Sequence, residues 1–233
     1  MIINNVGMLI VSSPRSQAYL QKLVAENLIP SHVIIMEDKK VSPGQLKKKI
    51  RSSNEYFDLN EDIMQTIKDN NISFEICPTK DINSETVIKI LKKRPEKYFI
   101  YSGSGGAILK EDILNCGKKF LHVHPGSLPG YRGSTTVYYS ILKENKCFAS
   151  AFFLEKRIDA GGVIKMKEYA PPKDRTIIDY EYDPYIRADL LVSVIKDYLK
   201  IGEFPDIPIQ KDEGETYFII HPVLKHIAIL GKN

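Results

Sequence analysis

The sequence predicts an α/β fold: a mostly parallel, twisted sheet flanked by helices, with a short C-terminal extension. Three observations carry this. Apolar strand-like segments and helix-like segments alternate as β, α, β, α, β, α, β along the first half of the chain, the pattern of parallel strands joined by right-handed crossovers. The strand-like runs, such as "HVIIM" at residues 32–36, are continuously apolar and β-branched rather than alternating, as strands covered on both faces are. The length, 233 residues, suits one such domain with room for a small appendage. Residues 1–182 are expected to form the catalytic α/β domain, and residues 183–233 a helix and short tail packed on it.

Taken in order, residues 7–11, "GMLIV", read as a buried strand. "SSPRS" follows as a helix start, with a serine cap and Pro14 in the first turn. Tyr19, Leu20, Leu23 and Val24 then recur at helical spacing. Residues 32–36 form the second strand. Residues 42–57 are polar and ambiguous, and their basic peak, "KKKIR" at 47–51, reads as a solvated face, because nucleic-acid binding needs more basic clusters than this. Helices are expected at 61–69 and 84–93, and strands at 73–76, 98–101 and 120–124. Beyond a Pro/Gly-rich loop, residues 135–143 read as a helix, and 147–154 and 163–169 as two strands. Residues 183–200 form an amphipathic helix with Ile186, Leu190, Leu191, Val194 and Ile195 on its buried stripe. A strand at 216–220 and a last apolar run, "HIAIL", complete the chain.

The composition, 43% hydrophobic and 27% charged with a formal net charge of +4, is that of an ordinary globular protein and demands neither nucleic acid nor membrane. Cys77, Cys116 and Cys147 are scattered and form no CxxC pair, which fits reduced thiols better than a disulfide framework. The first residues lack the charged region of a signal peptide and their apolar run is too short to span a membrane. A cytoplasmic location is therefore expected. The apolar C-terminal segment suits pairing with a second subunit.

The chemistry concentrates in "LHVHPGSLPGYRGS", residues 121–134. His122 and His124 stand two apart on a predicted strand, so both rings face one side. Pro125 halts the strand, and ligands of open α/β sheets bind beyond the strands' carboxyl ends. Three chemistries compete. A metal would use the two histidines with a third ligand such as Asp159, but no other His or Cys cluster supports one. A phosphate cradle has its best candidate in "SGSGGAIL", residues 102–109, which matches neither GxGxxG nor GxxxxGK[ST] and reads equally as a tight turn needing positive φ. Acid–base catalysis would use a histidine, which moves protons near pH 7, with an aspartate to orient it and stabilise its charged form. Asp159, in "RIDAGGVI", is the candidate partner. His122 on its own also suits a simple bond to a backbone carbonyl.

The combination of "HVHPGSLPGYRG" with "FLEKRIDAGGVI" resembles the 10-formyltetrahydrofolate-dependent formyltransferases. That family includes glycinamide ribonucleotide, methionyl-tRNA and sugar N-formyltransferases. The matching positions are His122, His124, Pro125, Ser127, Leu128, Pro129, Arg132, Gly133, Asp159 and Gly161. The resemblance covers residues 98–165 firmly and extends over the N-terminal α/β part. It implies a Rossmann-like formyltransferase fold, 10-formyltetrahydrofolate as cosubstrate, and formyl transfer to a primary amine. His124 and Asp159 are the implied acid–base pair, with His122 standing where the family has asparagine. The implied folate contacts are Gly105, Gly106, Ile108, Leu109, Leu154 and Ile158. Substrate contacts are expected from Ser127, Tyr131, Arg132 and Gly133, and Tyr180 and Arg187 could serve sugar or phosphate.

The layout is closest to sugar N-formyltransferases acting on an amino sugar carried by a nucleotide. The stretch after Asp183 is shorter than the C-terminal domain of methionyl-tRNA formyltransferases. "VSSPRSQ" stands where the purine enzyme has its glycine motif. Formyltetrahydrofolate hydrolysis and a catalytically altered folate-binding homologue are the alternatives, the latter suggested by His122.

Overall fold

The computed structural model describes residues 1–38, 55–211 and 214–231. The basic peak at 47–51 lies outside them. The chain divides into two compact units, residues 1–122 and 123–233. The division falls inside a strand.

The first unit contains β1 (Ile2–Ile3), β2 (Val6–Ile10), α1 (Pro14–Ala25), β3 (Ile29–Pro30), β4 (Val33–Met36), α2 (Ile63–Asp69), β5 (Phe74–Cys77), α3 (Glu85–Lys93), β6 (Tyr98–Ser102), α4 (Glu111–Leu114) and β7 (Lys119–His124), whose last two residues pass into the second unit. Its main strands lie in the order β5-β4-β2-β6-β7, every neighbouring pair parallel. β2 and β4 are buried at every position, which is why they read as continuous apolar runs. β5, at the edge, leaves Phe74 and Ile76 exposed.

The helix starts follow local chemistry. Ser13 caps α1 by accepting the Ser16 N–H at 3.2 Å, with Pro14 opening the first turn. Tyr19, Leu20 and Leu23 are its buried residues at the expected spacing, while Val24 sits half-buried. Asp62 and Ser84 cap α2 and α3 in the same way. β1 and β3 form a small parallel pair that the sequence did not announce, being two residues each.

The second unit holds the end of β7, then β8 (Tyr131–Gly133), α5 (Thr136–Glu144), β9 (Cys147–Phe153), β10 (Val163–Tyr169), a 3₁₀ turn at Arg175–Ile177 running into a π-helical turn at Ile178–Tyr182, α6 (Asp183–Ile201), β11 (Glu215–Tyr217) and α7 (Pro222–Leu230). β9 is the neighbour of β7, and β10 pairs antiparallel with β9. α6 packs on both, and all five residues of its predicted stripe are at most 1% exposed.

One expectation changes here, and the last apolar run gains an element. The strand foreseen at 216–220 is only Glu215–Tyr217, because its parallel partner β8 ends at Gly133, and Phe218 and Ile219 beyond it are 79% and 80% exposed. The final apolar run belongs to a helix, α7, begun by Pro222 and capped by the His221 side chain. α7 buries Ala228 and leaves Val223, Leu224, Ile227 and Leu230 outward. Among the described residues no helix is long and apolar enough to cross a membrane.

Candidate active site

β7 is mostly buried and delivers both histidines, two residues apart, at its carboxyl end. His122 falls in the first unit, half-buried, with Nδ1 3.4 Å from the Tyr101 carbonyl and the two rings 6.3 Å apart. His124 opens the second unit's site and is only 3% exposed. Its Nε2 lies 2.7 Å from the Tyr131 carbonyl and 3.3 Å from the Thr136 hydroxyl oxygen. Thr136 gives its own proton to the Pro125 carbonyl at 2.6 Å, so both groups near Nε2 act as acceptors. Nε2 therefore carries the hydrogen. Gly126 makes this approach possible: a Cβ there would stand 2.8 Å from His124 Nε2 and 2.7 Å from the Tyr131 oxygen.

The other ring nitrogen, Nδ1, faces Oδ2 of Asp159 at 3.4 Å. Burial lowers the proton affinity of His124, with Arg187 adding to the effect, while the Asp159 carboxylate, the Tyr131 carbonyl and Asp183 pull the other way. The neutral ring thus turns a lone pair toward a carboxylate. The spacing is wider than the ~2.8 Å of a charge-assisted hydrogen bond. The pair is built with room for one more proton.

Asp159 sits in the left-handed region at φ 50°, which few non-glycine residues visit and which Asp tolerates better than most. Its Oδ2 accepts the Gly133 N–H at 2.8 Å. Gly133, at φ 96°, leaves no room for a side chain, since a Cβ would meet the Tyr217 oxygen at 2.1 Å. Thr135 is also left-handed, at φ 53°, a strained setting for a β-branched residue. It is held by the Ile220 N–H on its hydroxyl at 2.8 Å and, next door, by the Ser134 N–H on the Tyr217 carbonyl at 2.8 Å.

The Pro/Gly loop is pinned from several sides. Ser150 donates to the Gly126 carbonyl at 2.7 Å and accepts the Leu128 N–H at 3.2 Å. The Tyr131 N–H closes a turn on the Ser127 carbonyl at 2.9 Å. Tyr131 stacks between Phe148 and Tyr217 and donates its hydroxyl to Glu144. Burial, followed by Glu144, pushes that phenol's pKa well up. Arg132 is 5% exposed and reaches the Lys211 carbonyl at 2.8 Å. Tyr131 and Arg132, expected at the substrate, thus have their polar ends engaged by the protein, and Gly133 faces Asp159; Ser127 remains half-buried. Arg187, another expected ligand contact, is buried in α6, where it donates to the Val123 carbonyl at 2.7 Å and pairs with Asp183 at 3.2 Å. Tyr180 is 47% exposed.

Of the expected folate positions, Gly105, Gly106 and Ile108 lie on an open turn of the first unit, Gly106 at φ 75° and Ile108 55% exposed. Asn83 pins this turn by donating to the Ile108 carbonyl at 3.0 Å and accepting the Lys110 N–H at 2.7 Å, while Leu109 is buried. In the second unit Leu154 is half-buried and Ile158, beside Asp159, is 50% exposed. Sequence reasoning missed Thr136, Ser150 and Gln210. Thr136 follows the expected helix start by one residue and was open to notice; the other two act through backbone carbonyls far away in sequence and leave no local signal.

No protein-family model matches the chain. In sequence it is 28% identical over 166 residues to the methionyl-tRNA formyltransferase of Finegoldia magna, a match covering 70% of this chain and 53% of that protein. It therefore spans about half the length of the curated relatives it matches. In fold it is similar to a sugar N-formyltransferase from a Shewanella species, with TM-score 0.60 and 15% identity over 97% of this chain and 86% of the other. It is similar also to glycinamide ribonucleotide transformylase 1 of Symbiobacterium toebii, with TM-score 0.59 and 13% identity over 88% and 93% of the two chains. In sequence the chain is thus similar to a methionyl-tRNA formyltransferase, and in fold to a sugar N-formyltransferase and a glycinamide ribonucleotide transformylase.

Proposed function

We propose that the chain transfers a formyl group from 10-formyltetrahydrofolate to a primary amine. The buried pair of His124 Nδ1 and Asp159 Oδ2, 3.4 Å apart with space for a proton, carries this reading. The likeness to a methionyl-tRNA formyltransferase supports it independently. When bound, the folate supplies the formyl carbon and, in N10, the nitrogen that leaves. The chain supplies proton handling. His124 Nδ1 takes up the proton that an attacking amine sheds, Asp159 stabilises the resulting imidazolium until His124 hands that proton to the departing N10, and the Nε2–H bond to Tyr131 keeps the ring from turning away. His122 serves as a neutral donor toward the formyl oxygen, the task an asparagine amide performs in the relatives it resembles. Open backbone at Gly105 and Gly106 and the exposed side chain of Ile108, on the turn that ends in the buried Leu109, suit a flat heteroaromatic ring, and the exposed Ile158 and half-buried Leu154 of the second unit are the further folate contacts in this reading.

The acceptor we favour is an amino sugar on a nucleotide, supported by the fold likeness to a sugar N-formyltransferase over 97% of this chain. Methionyl-tRNA is the second reading, favoured by the 28% sequence likeness. One experiment separates them. The protein is mixed with 10-formyltetrahydrofolate, and tetrahydrofolate release is followed with nucleotide-linked amino sugars, with methionyl-tRNA, and with no amine. Release only with an amino sugar is the expected result. Release only with methionyl-tRNA selects the second reading; release without amine identifies a hydrolase; binding without release overturns formyl transfer. In the active assay, His122→Asn should keep turnover within about tenfold of wild type, since both residues offer a donor.

A further inference from the structure

Gln210 stands fifty-one residues beyond Asp159 in sequence, yet it holds three consecutive carbonyls of the Asp159 turn. Its side-chain Nε2 donates to the Gly161 carbonyl at 2.5 Å and to the Asp159 carbonyl at 3.3 Å. Its backbone N–H donates to the Ala160 carbonyl at 2.9 Å. The turn answers in kind, for Arg157 Nη2 donates to the Gln210 carbonyl at 2.9 Å. Backbone groups in such a turn need partners, and no strand ladder supplies them here. The side-chain amide cannot be reversed without aiming its oxygen at two carbonyl oxygens. That oxygen, Oε1, is buried and has no hydrogen-bond partner among the described residues, so Nε2 alone accounts for the amide's bonds.

The turn is the part of the site least able to hold itself. Asp159 is left-handed, and conformations of that kind persist only where the surroundings over-determine them. The carboxylate is anchored by the Gly133 N–H on the same oxygen, Oδ2, that faces His124, and its distance to the ring depends on where the turn places the Asp159 Cα. We propose that Gln210 is a positioning residue that fixes the backbone of residues 159–161 and thereby sets the Asp159 carboxylate against His124. This deepens the proposed formyl transfer and rests on that reading for its activity arm.

Two variants test it. Gln210→Met keeps length and removes both donors. Gln210→Glu restores one donor when its carboxyl is protonated and points oxygens at carbonyls when ionised. The first measurement is an NMR titration of the His124 ring in the ligand-free protein, with His124→Gln used to assign the signal. Asp159 raises the proton affinity of His124. A carboxylate that drifts away therefore makes His124 titrate lower in Gln210→Met. The second is formyl transfer: Gln210→Met should lose at least tenfold in kcat while KM for folate and amine stays within threefold. Gln210→Glu should recover at least fivefold of that loss between pH 7.5 and 5.5, relative to wild type over the same range.

An unchanged His124 titration in folded Gln210→Met overturns the proposal, as does a loss confined to KM. If wild type transfers no formyl group, the proposed function fails while the titration still decides the role of Gln210. Should Gln210→Met not fold, Gln210→Glu decides, since its two protonation states are compared within one folded protein, and an equal rate relative to wild type at both pH values overturns the assignment.

Discussion

Gly133 gives its backbone N–H to the same oxygen of Asp159, Oδ2, that faces Nδ1 of His124. One lone pair of that oxygen is thereby fixed by the chain, and the carboxylate is held at a set distance from the ring without a direct bond to it. A carboxylate so placed orients and stabilises charge more than it exchanges protons.

Asp159→Asn tests this division. Asparagine can accept the Gly133 N–H and is at ease at the φ of 50° found here, so the fold should survive. Only the charge is lost. Because the carboxylate raises the proton affinity of the buried His124, its removal should make the ring titrate lower still, and kcat should fall by about 10²-fold. The measurements are the pH–rate profile and the NMR titration of His124. An unshifted profile at full rate would mean the charge plays no part.

His124→Asn should reduce kcat by about 10²–10⁴-fold, the usual weight of a general acid–base residue. Combined with Asp159→Asn, the loss should scarcely exceed that of His124→Asn alone, since the two act as a unit. Losses that multiply in the double variant would separate their roles.

Gly126→Ala should both destabilise and inactivate. The new methyl group would stand 2.8 Å from His124 Nε2 and 2.7 Å from the Tyr131 oxygen, and must force that 2.7 Å bond apart. Overpacking of this kind costs about 1–3 kcal/mol, read from denaturant unfolding. Wild-type stability in Gly126→Ala would show that the loop gives way more easily than its bonds to Ser150 imply.

Stability should fall as the solution is acidified below pH 6.5. His124 and His32 are both buried, and burial is the largest cause lowering each below the ordinary 6.5, with Arg94 assisting at His32. Between 6.5 and the lower folded values the unfolded chain binds more protons than the folded one, so acid favours unfolding. Denaturation midpoints at pH 7.5 and 5.5 should differ in that direction. His32→Gln should shrink the difference, and an equal slope in that variant would remove His32 from the account.

Arg187→Leu should cost about 3 kcal/mol, measured by thermal or denaturant unfolding, because it leaves the Val123 carbonyl without this donor and takes the guanidinium from the Asp183 carboxylate. A merely weakened substrate affinity with stability intact would instead favour the ligand-contact role expected from sequence.

Much of this was written locally. The Ser13 cap, the buried runs of β2 and β4 and the stripe of α6 each depend on residues within a few positions of one another, and they are found where periodicity and capping place them. The link between His124 and Asp159 was legible only through the pairing of two motifs. What escaped is long-range. β8 and β11 are three residues each and show no apolar alternation, so nothing local marks them as partners. The engagement of Tyr131 and Arg132 by Glu144, Phe148 and Lys211 likewise joins residues far apart in sequence and leaves no local mark in the Gly-rich loop. α7 reads as an apolar run because its exposed face is as hydrophobic as a buried strand.

The parallel pairing of β8 with β11 and the grip of Gln210 on residues 159–161 also impose a timetable. A chain emerging from the ribosome presents His124 and then Asp159 well before Gln210 and Tyr217 exist. Until those later residues are made, the glycine at 133 and the threonine at 135 lack the Tyr217 and Ile220 contacts that hold them left-handed. A nascent chain stalled between residues 160 and 205 would own both members of the acid–base pair and still lack the bonds that shape the turn between them.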